Sequence, residues 1–346
     1  MAARKRILLI YTGGTIGMVQ AKPGSPYIPF DFNMIRSEFP ELEQLGCDIS
    51  VISYAPPRDS SNIGPPIWVK LTQTIRDHYD QVDGFVVLHG SDTMAYTGSA
   101  LSFMLEGLGK PVILTGAQLP INEIRTDATE NMVTAIQIAA HPDQPIREVG
   151  VYFEFKLYRA NRTTKVHADQ FSAFDSPNFP ELVQAGVHLY FRNPTPEDAY
   201  YGHRFRTFDQ LETRVGHLRF FPGINESSLE PILLNPDFKG VILQSYGAGN
   251  LPTDPVVIDT IKKSIDQGKV ILNITQCLGG TVEMGRYATS ALLRKAGVIG
   301  GVDITFEAAL TKMMYLLGKY EDREEARFYL QRNIRGEIRA ERGYTT

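Results

Sequence analysis

Short apolar runs, each followed by a polar turn, set the pattern of the first part of the chain. Ile7–Ile10 leads into the glycine turn Tyr11–Gly17, and Gly84–Leu88 leads into the polar stretch His89–Met94. Short apolar runs bounded by turn residues are typical of buried strands in a parallel sheet. Because ligands of open α/β sheets bind outside the carboxyl ends of the strands, both turns are candidates for a binding site.

Helical patterns alternate with these strands. Asp92–Glu106 and Asp127–Ala140 are predicted helices, and Pro111–Leu114 and Val149–Phe153 are predicted strands. This alternation indicates right-handed βαβ units and an α/β fold built on a parallel sheet. We therefore predict a larger N-terminal domain over residues 1–192.

A second, smaller parallel α/β domain is predicted after a linker. The alternating pattern lapses into a polar and aromatic stretch, so we place the linker at 193–212 and the C-terminal domain at 213–346. The predicted strands of this domain lie near Arg214–Phe220, Gly240–Leu243 and Lys269–Asn273, and its predicted helices lie near Asp254–Gln267 and Ala288–Lys295.

The composition is that of a soluble enzyme with a sizeable core. Of 346 residues, 43% are hydrophobic and 21% are charged, and the formal net charge of -4 argues against a nucleic-acid partner. Cys47 and Cys277 are too few and too far apart for a disulfide scaffold, which favours the reducing cytoplasm. The apolar run after Arg6 is too short for a signal peptide, so neither secretion nor a membrane location is expected.

Each polar segment has a structural and a chemical interpretation. The turn Gly13–Gly14 leaves Thr15 exposed at a strand end, either as a cap or as a reactive hydroxyl. Ser91 and Asp92 sit where a helix begins, either as N-cap residues or as part of a site. Lys165 lies in a polar tract, where it acts as a base only if its pKa falls from about 10.4. The residue types alone leave these alternatives open.

Metal and nucleotide sites are not expected. His89 precedes a glycine at a strand end and is expected to hydrogen-bond locally rather than to act as a base. His167 and Asp169 lack a matching third ligand, whereas catalytic zinc usually takes three. The glycines of Gly13–Gly17 do not form the dinucleotide fingerprint, and no Gly-Lys-Ser/Thr phosphate loop occurs. Chemistry without a cofactor or metal is predicted.

Four ordered motifs, spread over the first half of the chain, carry a resemblance to a known family. The chain resembles the bacterial-type L-asparaginases, which are amidohydrolases with a threonine nucleophile, and the resemblance spans nearly its whole length. Tyr27–Pro29 and Ser245–Asn250 point to the cytosolic, type I branch, which implies a homodimer or a dimer of dimers. The four motifs are Thr12–Ile16, Asp59–Ser61, His89–Thr93 and Asn161–Lys165.

The resemblance implies a catalytic role for five residues. Thr15 is the implied primary nucleophile, and Tyr27, on a loop that closes over substrate, is the implied activating partner. Ser91, Asp92 and Lys165 form the implied second triad, in which the lysine tunes the hydroxyl and the aspartate orients substrate. Ser91 departs from the family pattern, which has threonine there, so the methyl group that restricts hydroxyl rotation is absent.

Substrate recognition is implied in the same way. Asp92 pairs with the ammonium group of asparagine, and Ser60 with nearby backbone amides holds the carboxylate. Asp59 and Ser61 border the pocket, together with Ser91 of the triad. The resemblance also implies that Asn250 corresponds to a residue that, in the family, reaches into the pocket of a neighbouring subunit. Some cytosolic relatives carry a second, regulatory asparagine site, but Gln244 stands where an arginine would suit a carboxylate, so we expect no cooperativity.

The resulting expectation is a cytoplasmic asparaginase that converts L-asparagine to L-aspartate and ammonia. The alternatives are a dual-specificity glutaminase-asparaginase and a non-catalytic asparagine-binding sensor. The amidase subunit of a tRNA-dependent amidotransferase, a further relative, carries an extra N-terminal domain, whereas ten residues precede Tyr11 here. The choice between asparagine and glutamine depends on the length of the pocket, which the sequence does not give.

Overall fold

The chain folds into two compact α/β units. The computed structural model describes residues 4–20, 27–29, 40–143, 146–192, 204–285 and 288–339. The first unit is Met1–Asp209 and the second is Gln210–Thr346. The predicted class, a larger N-terminal α/β domain followed by a smaller one with a parallel sheet, is confirmed.

The strands and helices of the described residues are numbered here in chain order. The strands are β1 (Arg6–Gly13), β2 (Met18–Gln20), β3 (Tyr27–Pro29), β4 (Asp48–Arg58), β5 (Gly84–Leu88), β6 (Leu105–Glu106), β7 (Val112–Thr115), β8 (Val149–Phe153), β9 (Lys156–Arg159), β10 (Thr164–Lys165), β11 (Phe174–Asp175), β12 (Val183–Ala185), β13 (Leu189–Phe191), β14 (Arg206–Thr207), β15 (Val215–Arg219), β16 (Gly240–Ser245), β17 (Val270–Thr275) and β18 (Ile299–Gly300). The α-helices are α1 (Pro65–His78), α2 (Met94–Met104), α3 (Ala128–Ala139), α4 (Glu226–Leu233), α5 (Pro255–Asp266), α6 (Ala288–Ala296), α7 (Phe306–Lys319) and α8 (Arg323–Leu330). Short 3-10 helices lie at Thr15–Gly17, Pro40–Leu45, Ser60–Asn62, Ser91–Thr93 and Ala160–Arg162.

The first unit is built on an eight-stranded sheet of order β13-β12-β9-β8-β7-β5-β1-β4. Its strands from β4 to β8 pair in parallel, as the sequence pattern predicts. Three antiparallel strands, which the pattern does not predict, extend the sheet beyond β8. The two-residue turn that reverses the chain there is Glu154–Phe155, where φ is 43° and 64°. Two-residue hairpin turns are usually recognised in a sequence by Asn-Gly or Asp-Gly. Glu-Phe is not such a pair, so the sequence does not predict this turn.

Alternate residues of β1 enter the two cores on opposite faces of this sheet. Ile7 and Leu9 pack in one core with Met132 of α3. Leu8 and Ile10 pack in the other core, which also contains residues of α1 and α2. Helices on both faces explain why the strand is apolar throughout, because neither face meets water.

The second unit has a parallel four-stranded sheet of order β15-β16-β17-β18. Val241 and Leu243 of β16 pack in a core that also holds Ile261 of α5 and residues of α4 and α6. On the sheet's other side, a side chain added at Gly240 would meet the Met313 sulfur of α7 at 2.5 Å, so this helix lies directly on the strand.

The predicted linker falls partly outside the described residues. Residues 193–203 are not described, and the placement of the linker at 193–212 stays a prediction. Arg206 and Thr207 pair with β6, and the ring of Phe205 stacks on Tyr79 at 3.6 Å, so residues 205–207 are packed within the first unit. Within the described ranges, no helix combines the length and apolarity that a bilayer crossing needs.

Candidate active site

Three turns meet at the carboxyl edge of the first sheet, because β4, β1 and β5 are neighbouring strands. At three positions the backbones of these turns approach their neighbours so closely that only glycine fits. A side chain added at Gly13, where φ is 133°, would lie 2.0 Å from the Arg58 carbonyl oxygen, and one at Gly14 would lie 2.4 Å from the Gly90 nitrogen. One added at Gly90 would lie 2.6 Å from the Ser60 hydroxyl. The backbone next to Thr15 is therefore in contact with the turn that leads to Ser91.

Thr15 lies in the turn that follows β1 at this edge. It starts a 3-10 helix and is exposed. The Tyr11 hydroxyl closes the turn by donating to the Gly17 carbonyl at 3.1 Å, and burial raises the pKa of Tyr11 to about 12, which keeps it a donor. The neighbouring Thr12 is buried and donates to the Leu88 carbonyl at 2.9 Å, so its hydroxyl joins two strands. Of the two threonines, Thr15 is exposed and Thr12 is buried.

Ser91, Asp92 and Lys165 are brought together as predicted from the family motifs. The Lys165 ammonium donates to the Ser91 hydroxyl and to one Asp92 carboxylate oxygen, each at 2.8 Å. The Lys165 side chain is 17% exposed, whereas that of Asp92 is 63% exposed. The Lys165 side chain is thus largely covered, whereas that of Asp92 is open to solvent. Asp92 keeps a face that a ligand's cation can reach.

Lys165 lies on a hairpin rather than in an extended solvated loop. It ends β10 and pairs with Phe174 of β11. The backbone amides of Val166 and His167 both donate to the Ala173 carbonyl, which closes the loop that follows. The lysine is therefore held on ordered backbone.

The segment Asp59–Ser61 lies beside the same turn. Asp59 caps the 3-10 helix that follows, accepting the Ser61 amide at 2.8 Å and the Ser61 hydroxyl at 2.7 Å. These hydrogen bonds lower the pKa of Asp59 and keep it ionised. Ser60 is buried, and its carbonyl accepts the Thr93 hydroxyl at 2.6 Å. Of the three side chains, that of Ser60 is the one turned toward Gly90 and the site.

His89 is held in a buried chain of hydrogen bonds. Its Nδ1 donates to the Gly90 carbonyl at 2.7 Å, its Nε2 accepts from the Thr97 hydroxyl at 2.9 Å, and the Trp68 indole donates to that hydroxyl at 3.0 Å. This pattern requires a neutral imidazole with the proton on Nδ1. Burial lowers the pKa of His89 to about 4. The expectation that His89 bonds locally is confirmed, and its role is to fix the turn before Ser91.

His89 should make the first unit acid-sensitive. Its pKa is about 4 when folded and 6.5 as the unperturbed value, so the unfolded chain binds the proton more tightly. Stability is then highest above pH 6.5 and falls by about 3 kcal/mol by pH 4 through this residue. Urea unfolding of the wild type and of His89→Gln between pH 4 and 7 measures how the free energy of unfolding depends on pH. We expect a flatter pH dependence in the variant, and equal slopes would contradict this role.

Gln118 contacts the site, although sequence reasoning does not single it out. Its side-chain oxygen accepts the Ser91 hydroxyl at 3.4 Å, and its side-chain nitrogen donates to the carbonyls of Ala168 and Gln170 at 3.2 and 2.8 Å. The available signal was its position shortly after the strand ending at Thr115, which is the same strand-end position that identifies Thr15 and Ser91.

Two residues implied by the family motifs are placed only in part. Tyr27 lies in a strand whose register pairs it with Gln20, and the position of its side chain lies outside the described residues. Asn250 belongs to the second unit, where it closes a tight turn through two backbone hydrogen bonds with Tyr246. The roles of Tyr27 and Asn250 stay predictions. Over the described ranges, no three His, Cys, Asp or Glu side chains are grouped as metal ligands.

Both parts of the chain match protein-family models. Residues 6–196 match "Asparaginase, N-terminal", and residues 214–330 match "Glutaminase/Asparaginase C-terminal domain". The chain belongs to the asparaginase family. L-asparaginase 1 of Escherichia coli K12 is 45% identical over 97% of this chain and 98% of its own. Among solved structures, L-asparaginase I of Vibrio cholerae matches with a TM-score of 0.89 at 40% identity, over 97% of this chain and all of the other. The thermostable L-asparaginase of Thermococcus kodakarensis matches with a TM-score of 0.87 at 32% identity, over 97% and 99%.

Gln244, which stands where an arginine would suit a carboxylate, makes two hydrogen bonds within the second unit. Its side-chain oxygen accepts from His217 Nε2 at 2.9 Å, and its carbonyl accepts from Gln276 at 2.8 Å. Burial lowers the pKa of His217, so this is a neutral pair. A neutral amide offers no charged, bidentate contact to a carboxylate, and the absence of cooperativity stays our prediction for this asparaginase-family chain.

Proposed function

We propose that this chain is a cytoplasmic asparaginase that hydrolyses the side-chain amide of L-asparagine through a threonine acyl-enzyme. The observation that carries the proposal is the convergence of an exposed Thr15 with Ser60 and the Ser91–Asp92–Lys165 cluster at one sheet edge. Family membership over nearly the whole chain supports the same reaction class.

The first half of the reaction makes an ester. The Thr15 oxygen attacks the amide carbon, the carbonyl electrons move onto oxygen, and the hydroxyl proton passes to an activating partner. The tetrahedral intermediate collapses, the carbon–nitrogen bond breaks, and the nitrogen leaves as ammonia after taking up a proton. Splitting amide hydrolysis into acylation and deacylation gives two easier steps. Tyr27 is our candidate for the partner that receives the proton.

The second half hydrolyses the ester. Water attacks the aspartyl carbonyl, the bond to the Thr15 oxygen breaks, and L-aspartate leaves while the threonine recovers its proton. The oxyanion of both intermediates needs preorganised donors. Backbone amides beside Ser91 and in the turn before Thr15 are the candidates, because these two turns are in contact through Gly14 and Gly90.

The charged ends of asparagine match the groups around the site. The open face of Asp92 pairs with the substrate ammonium, and Ser60 with neighbouring amides holds the substrate carboxylate, with Asp59 and Ser61 at the border. Lys165 already neutralises part of the Asp92 charge, so it sets how strongly the carboxylate holds a cation. We also propose that Asn250 completes the pocket of a second copy, which makes a homodimer or a dimer of dimers the working unit.

A cytoplasmic location is part of the proposal. Cys47 is buried and Cys277 is exposed, and neither forms a disulfide. An exposed free thiol is suited to a reducing compartment.

Ammonia release from L-asparagine and from L-glutamine, measured side by side with purified protein, tests the proposed function. We expect release from asparagine with a much smaller rate from glutamine. Comparable release from both would favour the dual-specificity alternative, since residues 214–330 match a domain that glutaminases and asparaginases share. Calorimetric binding of asparagine without any ammonia would contradict hydrolysis and favour a sensor.

A further inference from the structure

Gln118 connects the two parts of the Ser91–Lys165 cluster. Ser91 follows β5, whereas Lys165 comes from the β10–β11 hairpin, so the two arrive from distant parts of the chain. The side chain of Gln118 hydrogen-bonds to Ser91 on one side and to the loop within that hairpin on the other. It is half-buried, on the segment that follows β7.

The orientation of the Gln118 amide is fixed by its partners. Both partners of its nitrogen, the Ala168 and Gln170 carbonyls, are acceptors only, so the NH₂ group must face them and the oxygen must face Ser91. The Asp127 carboxylate holds the backbone of this segment, because it accepts the amides of Gln118 and Leu119 at 3.0–3.1 Å. A rigid backbone and an anchored amide nitrogen place one acceptor beside the Ser91 hydroxyl.

This acceptor determines where the Ser91 proton points. Lys165 donates to the Ser91 oxygen, so the serine must direct its own proton to an acceptor, and the Gln118 oxygen takes it. At 3.4 Å the bond is longer than the usual O–H···O distance of about 2.7–2.8 Å, so it restrains the hydroxyl without holding it tightly. Serine lacks the methyl group that limits rotation in threonine. The restraint must therefore come from outside the residue.

We propose that Gln118 is a positioning residue that orients the Ser91 hydroxyl and fastens the Lys165 hairpin, and that it substitutes for the methyl group that Ser91 lacks. The inference rests on the proposed function, because the oriented hydroxyl matters only in a working site. Gln118 acts through Ser91 and has no assigned contact with substrate. Its loss should therefore lower kcat more than it raises KM, by roughly 10- to 100-fold in kcat, as for small misplacements of reacting groups.

The experiment compares Gln118→Met in two backgrounds, wild type and Ser91→Thr. Methionine keeps the length of the side chain and removes both kinds of hydrogen bond. We expect Gln118→Met to lower kcat 10- to 100-fold with Ser91 present and less than about threefold with threonine present, since the methyl group then limits rotation. Gln137→Met, the same exchange on the exposed side of α3, is the matched control. Thermal melting checks folding.

The outcomes separate this inference from the proposed function. A wild type that releases no ammonia overturns both. An active wild type with a Gln118→Met variant within twofold of it overturns the inference alone. Equal losses in both backgrounds would show that the residue only supports the hairpin, which contradicts the orienting role. If methionine unfolds the protein, Gln118→Ala, which also removes the acceptor for Ser91, is compared in the same two backgrounds, and the same fold-changes in kcat decide.

Discussion

Thr15→Ala should abolish hydrolysis of L-asparagine while the protein stays folded. The alanine variant lacks the nucleophilic oxygen, and loss of a nucleophile costs kcat about 10⁴-fold or more. Thr15 is exposed and outside the packed cores, so unfolding free energy should change by less than about 0.5 kcal/mol. Steady-state ammonia release measures kcat, thermal melting measures folding, and calorimetry should still detect bound asparagine.

Thr15→Ser is the matched control for this result. It retains the hydroxyl and removes only the methyl group, so most of the activity should remain. Residual activity of the alanine variant at a tenth of wild type or above would remove Thr15 from the mechanism. A loss of asparagine binding together with activity would instead assign Thr15 to substrate recognition.

The second large expected effect is a loss of stability when a buried ion pair of the second unit is broken. Lys312 and Glu337 are both fully buried, with the ammonium 2.6 Å from the carboxylate. Glu337 also accepts the backbone amides of Ile334 and Arg335, so the pair ties the segment after α8 to α7. Burial raises the pKa of Glu337, but the attraction of Lys312 and these hydrogen bonds outweigh it, and the net pKa is lowered. The carboxylate therefore stays ionised.

Glu337→Gln should destabilise the second unit by about 3–5 kcal/mol, because it leaves the Lys312 ammonium buried without a counter-charge. Denaturant unfolding at neutral pH measures the effect. Glu324→Gln, which removes the partner of Arg327 at a carboxylate that is 84% exposed, is the control and should cost less than about 1 kcal/mol. Similar losses in the two variants would contradict the account of the buried pair.

The Lys312–Glu337 pair also predicts the direction in which the stability of the protein changes with pH. The folded pKa of Glu337 lies below its ordinary value of 4.5, so its contribution is present above that pH and is lost as the pH falls below it. The Glu337→Gln variant should lose this part of the wild type's acid response.

The parallel part of the fold is readable from the sequence because its strands are buried on both faces. The predicted bounds of Gly84–Leu88 and Val149–Phe153 are those of the structure, and the predicted helix Asp127–Ala140 is observed as Ala128–Ala139. A short continuous apolar run bounded by turn residues is typical of a strand that is buried on both faces. Strands beyond β8 have no such signal: β9 and β13 are short, and the turn between β8 and β9 uses Glu-Phe.

The site could be predicted in part for the same reason. Thr15 and Ser91 stand directly after strands, so their proximity follows once the sheet order is known. Lys165 could be assigned only through the family motif, because its approach to Ser91 depends on the β10–β11 hairpin and a polar tract does not predict one. Gln118 could not be assigned to the site from the sequence. Its contacts there are three hydrogen bonds to residues that lie 27 to 52 positions away along the chain.

Detection of the acyl-enzyme tests the central claim most directly. Wild-type protein mixed with L-asparagine and quenched in acid within milliseconds is examined by intact mass and by mapping the modified peptide. We expect a fraction of the protein to carry one aspartyl group in ester linkage to Thr15, and no such species in Thr15→Ala. An aspartyl group on Ser91 would contradict the claim that Thr15 is the nucleophile. A variant that deacylates slowly, still turns over asparagine and yet shows no covalent species at any time point would contradict the acyl-enzyme itself.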